Sequence, residues 1–152
     1  MDMVARSRLV LLVDPDPAVL RNLEAALHGM ATARACTDFK TARAVLTETV
    51  PDLLVTNLRL EAFNGLHLVY LARSLSPNTQ CVVYDAELDI GLARMAQAVG
   101  AFYERPERLR SALLSYALVG LPAADRRDPA FVDRRQRPRG GRRAADVPLR
   151  LN

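Results

Sequence analysis

Four short apolar runs in this sequence each end on side chains able to do chemistry. Leu9–Val13 leads into Asp14-Pro15-Asp16-Pro17, the run from Leu53 ends at Asn57, Cys81–Tyr84 gives way to Asp85, and Ala101–Tyr103 is soon followed by Arg105-Pro106. Carboxylates such as Asp14, Asp16 and Asp85 can hold a divalent cation or attack an electrophile to form a covalent intermediate. A carboxamide such as Asn57 is neutral, with its nitrogen lone pair delocalised, and forms no comparable intermediate. What Asn57 can and cannot do therefore decides what chemistry the set supports.

Other chemistries are excluded by residue type. A dinucleotide site needs a glycine-rich turn after the first strand, so that backbone can approach a pyrophosphate. Here two carboxylates would repel phosphate and two prolines remove N–H donors. No Walker-type loop or serine nucleophile elbow is present. Cys36 and Cys81 stand 45 positions apart, each in an apolar segment, and are expected to be small core residues. His28 and His67 have no partner at metal-ligand spacing and are expected at the surface or its boundary.

The elements that position these residues follow from periodicity. Leu9–Val13 is a continuous apolar run, as in a parallel strand buried on both faces. Pro17 suits the first turn of a helix capped by Asp16, with Leu20, Leu23, Leu27 and Met30 as its inward stripe. Thr32–Cys36 reads as a second strand, Asp38–Thr49 as a second helix and Asp52–Thr56 as a third strand. A third helix from about Gly65 to Leu75 should bury Leu68, Leu71 and Leu75. Cys81–Tyr84 is a fourth strand, Asp89–Val99 a fourth helix, Ala101–Tyr103 a short fifth strand, and Glu107–Val119 a last helix. Strict alternation predicts an α/β fold with a parallel sheet covered on both faces. In such sheets the functional crevice lies at the carboxyl ends of the strands, where Asp14, Asp16, Asn57, Asp85 and Arg105 would meet.

Charge divides the chain. From Pro122 onward there are nine arginines and four aspartates, whereas the preceding 121 residues hold twelve Lys/Arg against thirteen Asp/Glu. The expected division is a folded domain over residues 1–121 and an Arg-rich, disordered tail over 122–152. Arg-Arg pairs recur at 126–127, 134–135 and 142–143, with Asp before the first two. The tail is read as a solubilising extension, or as a contact for an acidic protein, an anionic membrane surface or nucleic acid, where guanidiniums would give salt-dependent phosphate contacts. No apolar run approaches the ~18 residues of a membrane span, and the N-terminal run is shorter than the roughly 7–15 residues of a signal-peptide core. A cytoplasmic location is expected.

Residues 8 to about 120 resemble the receiver domains of two-component response regulators. The resemblance rests on VDPDPAVLRNLEAAL, on PDLLVTNLRLEAFNGLHLV with its Leu-Arg-Leu run and later Asn-Gly, on CVVYDAELDIGLARMAQAVGA and on FYERPERL. It implies a flavodoxin-like (βα)5 three-layer fold with the five strands in the order 2-1-3-4-5. It also implies that Asn57 stands where the family's phosphoacceptor aspartate stands. Asp14 and Pro15 fall at the acidic pair that holds Mg²⁺, with Asp16 beside them. Asp85 falls at the Thr/Ser that contacts the phosphoryl group, Phe102 at the switch aromatic and Arg105 at the phosphate-contacting lysine.

Three of those positions depart from the pattern: Pro15 offers no side-chain oxygen, Asn57 no nucleophile, and Asp85 would repel phosphate. The expectation is a stand-alone receiver-like protein that binds a protein partner, such as a histidine kinase, without enzymatic activity or phosphorylation. No cofactor is expected, and Mg²⁺ only if Asp14 retains weak binding. The face built from the fourth helix, fifth strand and fifth helix is the expected partner surface, by resemblance. Asp85 and Arg105, facing one crevice, are expected to form an ion pair. The alternatives are a working phosphoacceptor that uses another carboxylate, and an Arg-tailed protein associated with nucleic acid.

Overall fold

The computed structural model describes residues 7–122 and 124–130. Its first unit is strand β1 (Leu9–Val13) followed by helix α1 (Pro17–Leu27). Asp16 caps α1, its carboxylate accepting the Ala18 N–H at 2.9 Å, and Pro17 at the first helical position needs no donor. The chain continues through β2 (Thr32–Cys36), α2 (Phe39–Glu48) and β3 (Leu53–Asn57). Asp38 caps α2 through the Thr41 N–H at 2.7 Å. Next come two strands of two residues, β4 (Arg59–Leu60) and β5 (Phe63–Asn64), then α3 (Leu66–Leu75), β6 (Gln80–Tyr84), α4 (Ile90–Ala98), β7 (Phe102–Glu104) and α5 (Pro106–Val119).

The five long strands form one parallel sheet in the order β2-β1-β3-β6-β7, the flavodoxin-like arrangement expected from the sequence. Because strand side chains alternate between faces, the sheet sorts its apolar residues into two cores. Leu11, Val13, Leu54 and Val83 pack with residues of α2, α3 and α4. Val10, Leu12, Val55 and Val82 pack with Leu20, Leu23 and Leu27 of α1 and Leu109 and Leu113 of α5. The three central strands are buried on both faces, which is why their sequences are apolar without alternation.

Several sequence expectations are corrected. Met30 is exposed because α1 ends at Leu27, and Gly29 at φ +77° turns the chain away. Leu75 is also exposed, at the end of α3, while Leu68 and Leu71 lie inward. The loop after Asn57 is an antiparallel hairpin of β4 and β5, pairing Arg59 with Asn64 and Leu60 with Phe63. Phe102 and Tyr103 point to opposite faces: Phe102 joins the α1–α5 core, whereas Tyr103 joins the core containing Ala93 and Ala96 of α4.

The segment after α5 departs furthest from expectation. Gly120, at φ +90°, turns the chain, and the Gln80 side-chain amide holds Leu121 by both its N–H (3.1 Å) and its C=O (2.9 Å). The chain then runs onto β7, where the Asp125 carboxylate accepts the Tyr103 N–H at 3.1 Å and the Arg127 guanidinium donates to the Tyr103 C=O at 2.7 Å. The first part of the expected tail is thus packed on the sheet. Residues 131–152 lie outside the described part of the chain.

Candidate functional site

The carboxyl ends of β1, β3 and β6 bring together Asp14, Asn57 and Asp85, as the alternation required. Asp14 is buried, and both of its oxygens are used. One accepts the Asp16 backbone N–H at 2.8 Å; the other accepts the Asn57 amide at 3.2 Å and the Tyr84 hydroxyl at 2.6 Å. Burial, and then the neighbouring Asp14 carboxylate, push the Tyr84 phenol far above its ordinary range, so it stays a donor.

Asn57 is bonded at both ends of its amide. Its NH₂ donates to Asp14 while its oxygen accepts the Arg59 N–H at 2.9 Å. Gly65 closes the loop from the other side: its N–H donates to the Leu58 C=O at 2.8 Å. A Cβ at Gly65 would lie 2.2 Å from the Asn57 carbonyl oxygen, a clash only glycine avoids.

Asp85 is buried, and its bonded guanidinium belongs to Arg59. The Arg59 Nε–H reaches both carboxylate oxygens, at 2.9 and 3.0 Å. The expected pairing of Asp85 with Arg105 is therefore corrected: the β4–β5 hairpin folds Arg59 back across the crevice, while Arg105 stands at the N-cap of α5. Pro15 is half-buried, and Asp16 spends its carboxylate on the α1 cap. A cleft of about 410 Å³ opens beside the site, lined by Asp14, Asn57 and Tyr84 together with Val19, Leu23 and Leu109.

Two participants in the site, Arg59 and Tyr84, and a third side chain on the β7 edge, Arg127, are not marked in the sequence as such. Arg59 stands out only as part of the Leu-Arg-Leu run, although a cation two residues after a strand end is placed to return over that end once a tight hairpin forms. Tyr84 reads as one more apolar strand residue; its hydroxyl, at the end of a buried strand, is the available signal, since a buried phenol needs a partner. Arg127 carries no signal apart from its place in a repeated Asp-Arg-Arg.

This donor set does not suit the Mg²⁺ that the resemblance implies. Octahedral coordination wants oxygen ligands free to turn toward the ion. Pro15 has none, Asn57 turns its NH₂ toward Asp14, and both Asp14 oxygens already accept hydrogen bonds from the Asp16 N–H, Asn57 and Tyr84. Among the described residues no group of three His, Cys, Asp or Glu side chains is placed to hold a metal.

Comparison with known proteins gives this geometry a family. The family model described as "Response regulator receiver domain" matches residues 10–104. The chain is 30% identical over 99 residues to the DNA-binding transcriptional regulator NtrC of Klebsiella pneumoniae, covering 63% of this chain and 21% of that protein. It is 29% identical over 102 residues to NtrC of Salmonella typhimurium, covering 65% of this chain and again 21% of that protein. The chain thus spans about a fifth of the curated relatives it matches. Among solved structures it is similar to a Burkholderia pseudomallei response regulator with a phosphorylated aspartic acid, calcium ion and citrate, at TM-score 0.66 and 21% identity, covering 74% of this chain and 66% of that one. A CheY-like receiver domain protein from Methanospirillum hungatei gives TM-score 0.65 at 18% identity, covering 73% of this chain and 94% of that one.

Proposed function

Because the chain belongs to the response regulator receiver domain family, we propose that it is a receiver whose phosphotransfer chemistry has been replaced by a fixed hydrogen-bond network, and that it works in two-component signalling as a protein-binding module. The observation that carries this reading is that both oxygens of Asp14 are engaged, by Asn57, Tyr84 and the Asp16 N–H. A phosphoacceptor site needs a free carboxylate nucleophile with a cation beside it. Here the amide of Asn57 stands at the nucleophile's position and donates to the residue that would hold the cation. Asp85 is no substitute acceptor, being buried and paired with Arg59.

On this reading the protein needs no metal cofactor and acts in the cytoplasm. Its partner is another signalling protein, with a histidine kinase the first candidate. The α4–β7–α5 face is the family's expected docking surface, and its edge is already engaged by Asp125 and Arg127. The packed unit extends beyond Leu121 at least as far as Arg127. None of the described helices is long and apolar enough to cross a membrane.

Incubation with acetyl phosphate and Mg²⁺ followed by intact-mass measurement tests the reading. The mass should not change. A stable adduct of ~80 Da, the mass of a phosphoryl group on a carboxylate nucleophile, would show that another carboxylate accepts phosphate and would overturn the proposal.

A further inference from the structure

The outer edge of β7 is covered by side chains where a sixth strand would otherwise pair. Tyr103 turns its N–H and C=O away from β6, and the Asp125 carboxylate and Arg127 guanidinium take the places of a neighbouring strand's acceptor and donor. The two side chains also bond to each other, Arg127 Nε to Asp125 at 2.8 Å and a terminal nitrogen to its second oxygen at 3.1 Å. The other terminal nitrogen reaches the buried Glu104 at 3.1 Å, which also accepts the Tyr116 hydroxyl. The guanidinium lies 5.9 Å from the centre of the Phe102 ring, and Gln97 of α4 donates to the Arg127 C=O at 2.8 Å. The contacts of the Arg127 side chain need a planar, five-donor guanidinium, here two residues after a carboxylate. The intervening Arg126 is exposed.

The same tripeptide occurs again. Asp125-Arg126-Arg127 is followed eight residues later by Asp133-Arg134-Arg135, whereas the third arginine pair, Arg142-Arg143, follows a glycine. Each chain therefore has one β7 edge and two sequences that carry its ligand.

We infer that the β7 edge is a recognition site for an Asp-x-Arg tripeptide, that Asp125–Arg127 fills it in cis, and that Asp133–Arg135 is a ligand for the same site on a second copy of this chain. The cis segment is tethered through Leu121 and Gln80, so its effective concentration is high and it fills its own edge first. The second tripeptide is then the ligand offered to another copy whose edge is open. None of this depends on the chemistry at residue 57.

The 152-residue chain lacking both tripeptides (D125A/R127A/D133A/R135A) presents an empty edge. A fluorescent peptide of residues 131–138 should bind it at least about tenfold more tightly than it binds the wild-type chain, whose edge is filled in cis. The same peptide carrying D133A and R135A should not bind. In sedimentation, the quadruple variant, which has no tripeptide of its own to refill its edge, should form a 1:1 complex with the wild-type chain, and a chain carrying D133A/R135A alone should not form it. If the quadruple variant does not fold, Arg127→Lys, which keeps the charge but loses the fork, should bind the peptide better than wild type does. Equal peptide binding to filled and empty edges, no binding to either, or a quadruple variant that stays monomeric when mixed with the wild-type chain would overturn the inference.

Discussion

At position 57 the choice between a carboxamide and a carboxylate sets the sign of an interaction. The Asn57 NH₂ sits 3.2 Å from an Asp14 oxygen, so a donor there is attractive and a second carboxylate would be repulsive. Asn57→Asp should therefore destabilise the folded protein by about 1–3 kcal/mol at neutral pH, the usual cost of leaving a buried polar group without its partner. The deficit should narrow as the pH is lowered, since protonating the introduced carboxyl removes the repulsion. Urea denaturation of the two proteins across that pH range measures it. A fully functional phosphoacceptor site would behave oppositely, with Asn57→Asp tolerated and Mg²⁺ stabilising the variant by binding its folded form.

At the level of elements, one carboxylate shows how a motif residue can change employment. Asp16 caps α1 through the Ala18 N–H, so Asp16→Ala should cost about 1 kcal/mol through the loss of that cap. Thermal melts with and without Mg²⁺ should give the same difference, because the cap involves no cation. A difference that appears only with Mg²⁺ present would make Asp16 a ligand instead. The strands β1, β3 and β6 are legible because burial on both faces writes a continuous apolar run, and the helices because their caps and stripes stand in the sequence. The β4–β5 hairpin is not legible: two-residue strands have no period, and this pair exists because the Gly65 N–H and the Arg59–Asp85 pair tie it down. Without the hairpin nothing marks Arg59 as the partner of Asp85, and Arg105 takes its place in a reading of the sequence. The docked segment is hidden for another reason. Its Asp, Arg and Pro composition is that of a solvated chain, and only the free edge of β7, a tertiary feature, makes those side chains structural.

For the whole molecule, the carboxyl-terminal segment links stability to pH at both ends of the scale. Burial pushes the Tyr116 phenol up to about 12, with its bond to Glu104 adding to the effect. Since the folded value lies above the unfolded one, its contribution is present below the ordinary phenol range and is lost as the pH rises from 10.0 toward about 12. Tyr116→Phe should make the alkaline loss of stability shallower, as read from urea midpoints across that range, with Tyr84 and Tyr103, also raised by burial, supplying the remainder. Asp125 works in the opposite direction. Burial alone would raise it, but the Arg127 and Gln97 side chains and the Arg127 and Tyr103 N–H groups outweigh burial and hold it below the ordinary carboxylate value. Its contribution is present above that value and is lost as the pH falls through the folded one.

The sheet has two outer strands, and they are not equivalent. The backbone of β7 at Tyr103 is occupied by Asp125 and Arg127, while among the described residues no strand lies beyond β2. Exposed strand edges are the templates from which sheets grow between molecules. With one side occupied, growth through hydrogen-bonded edges has a valence of one: it ends at a pair and cannot run on into a fibre. Releasing Asp125 and Arg127 would raise that valence to two.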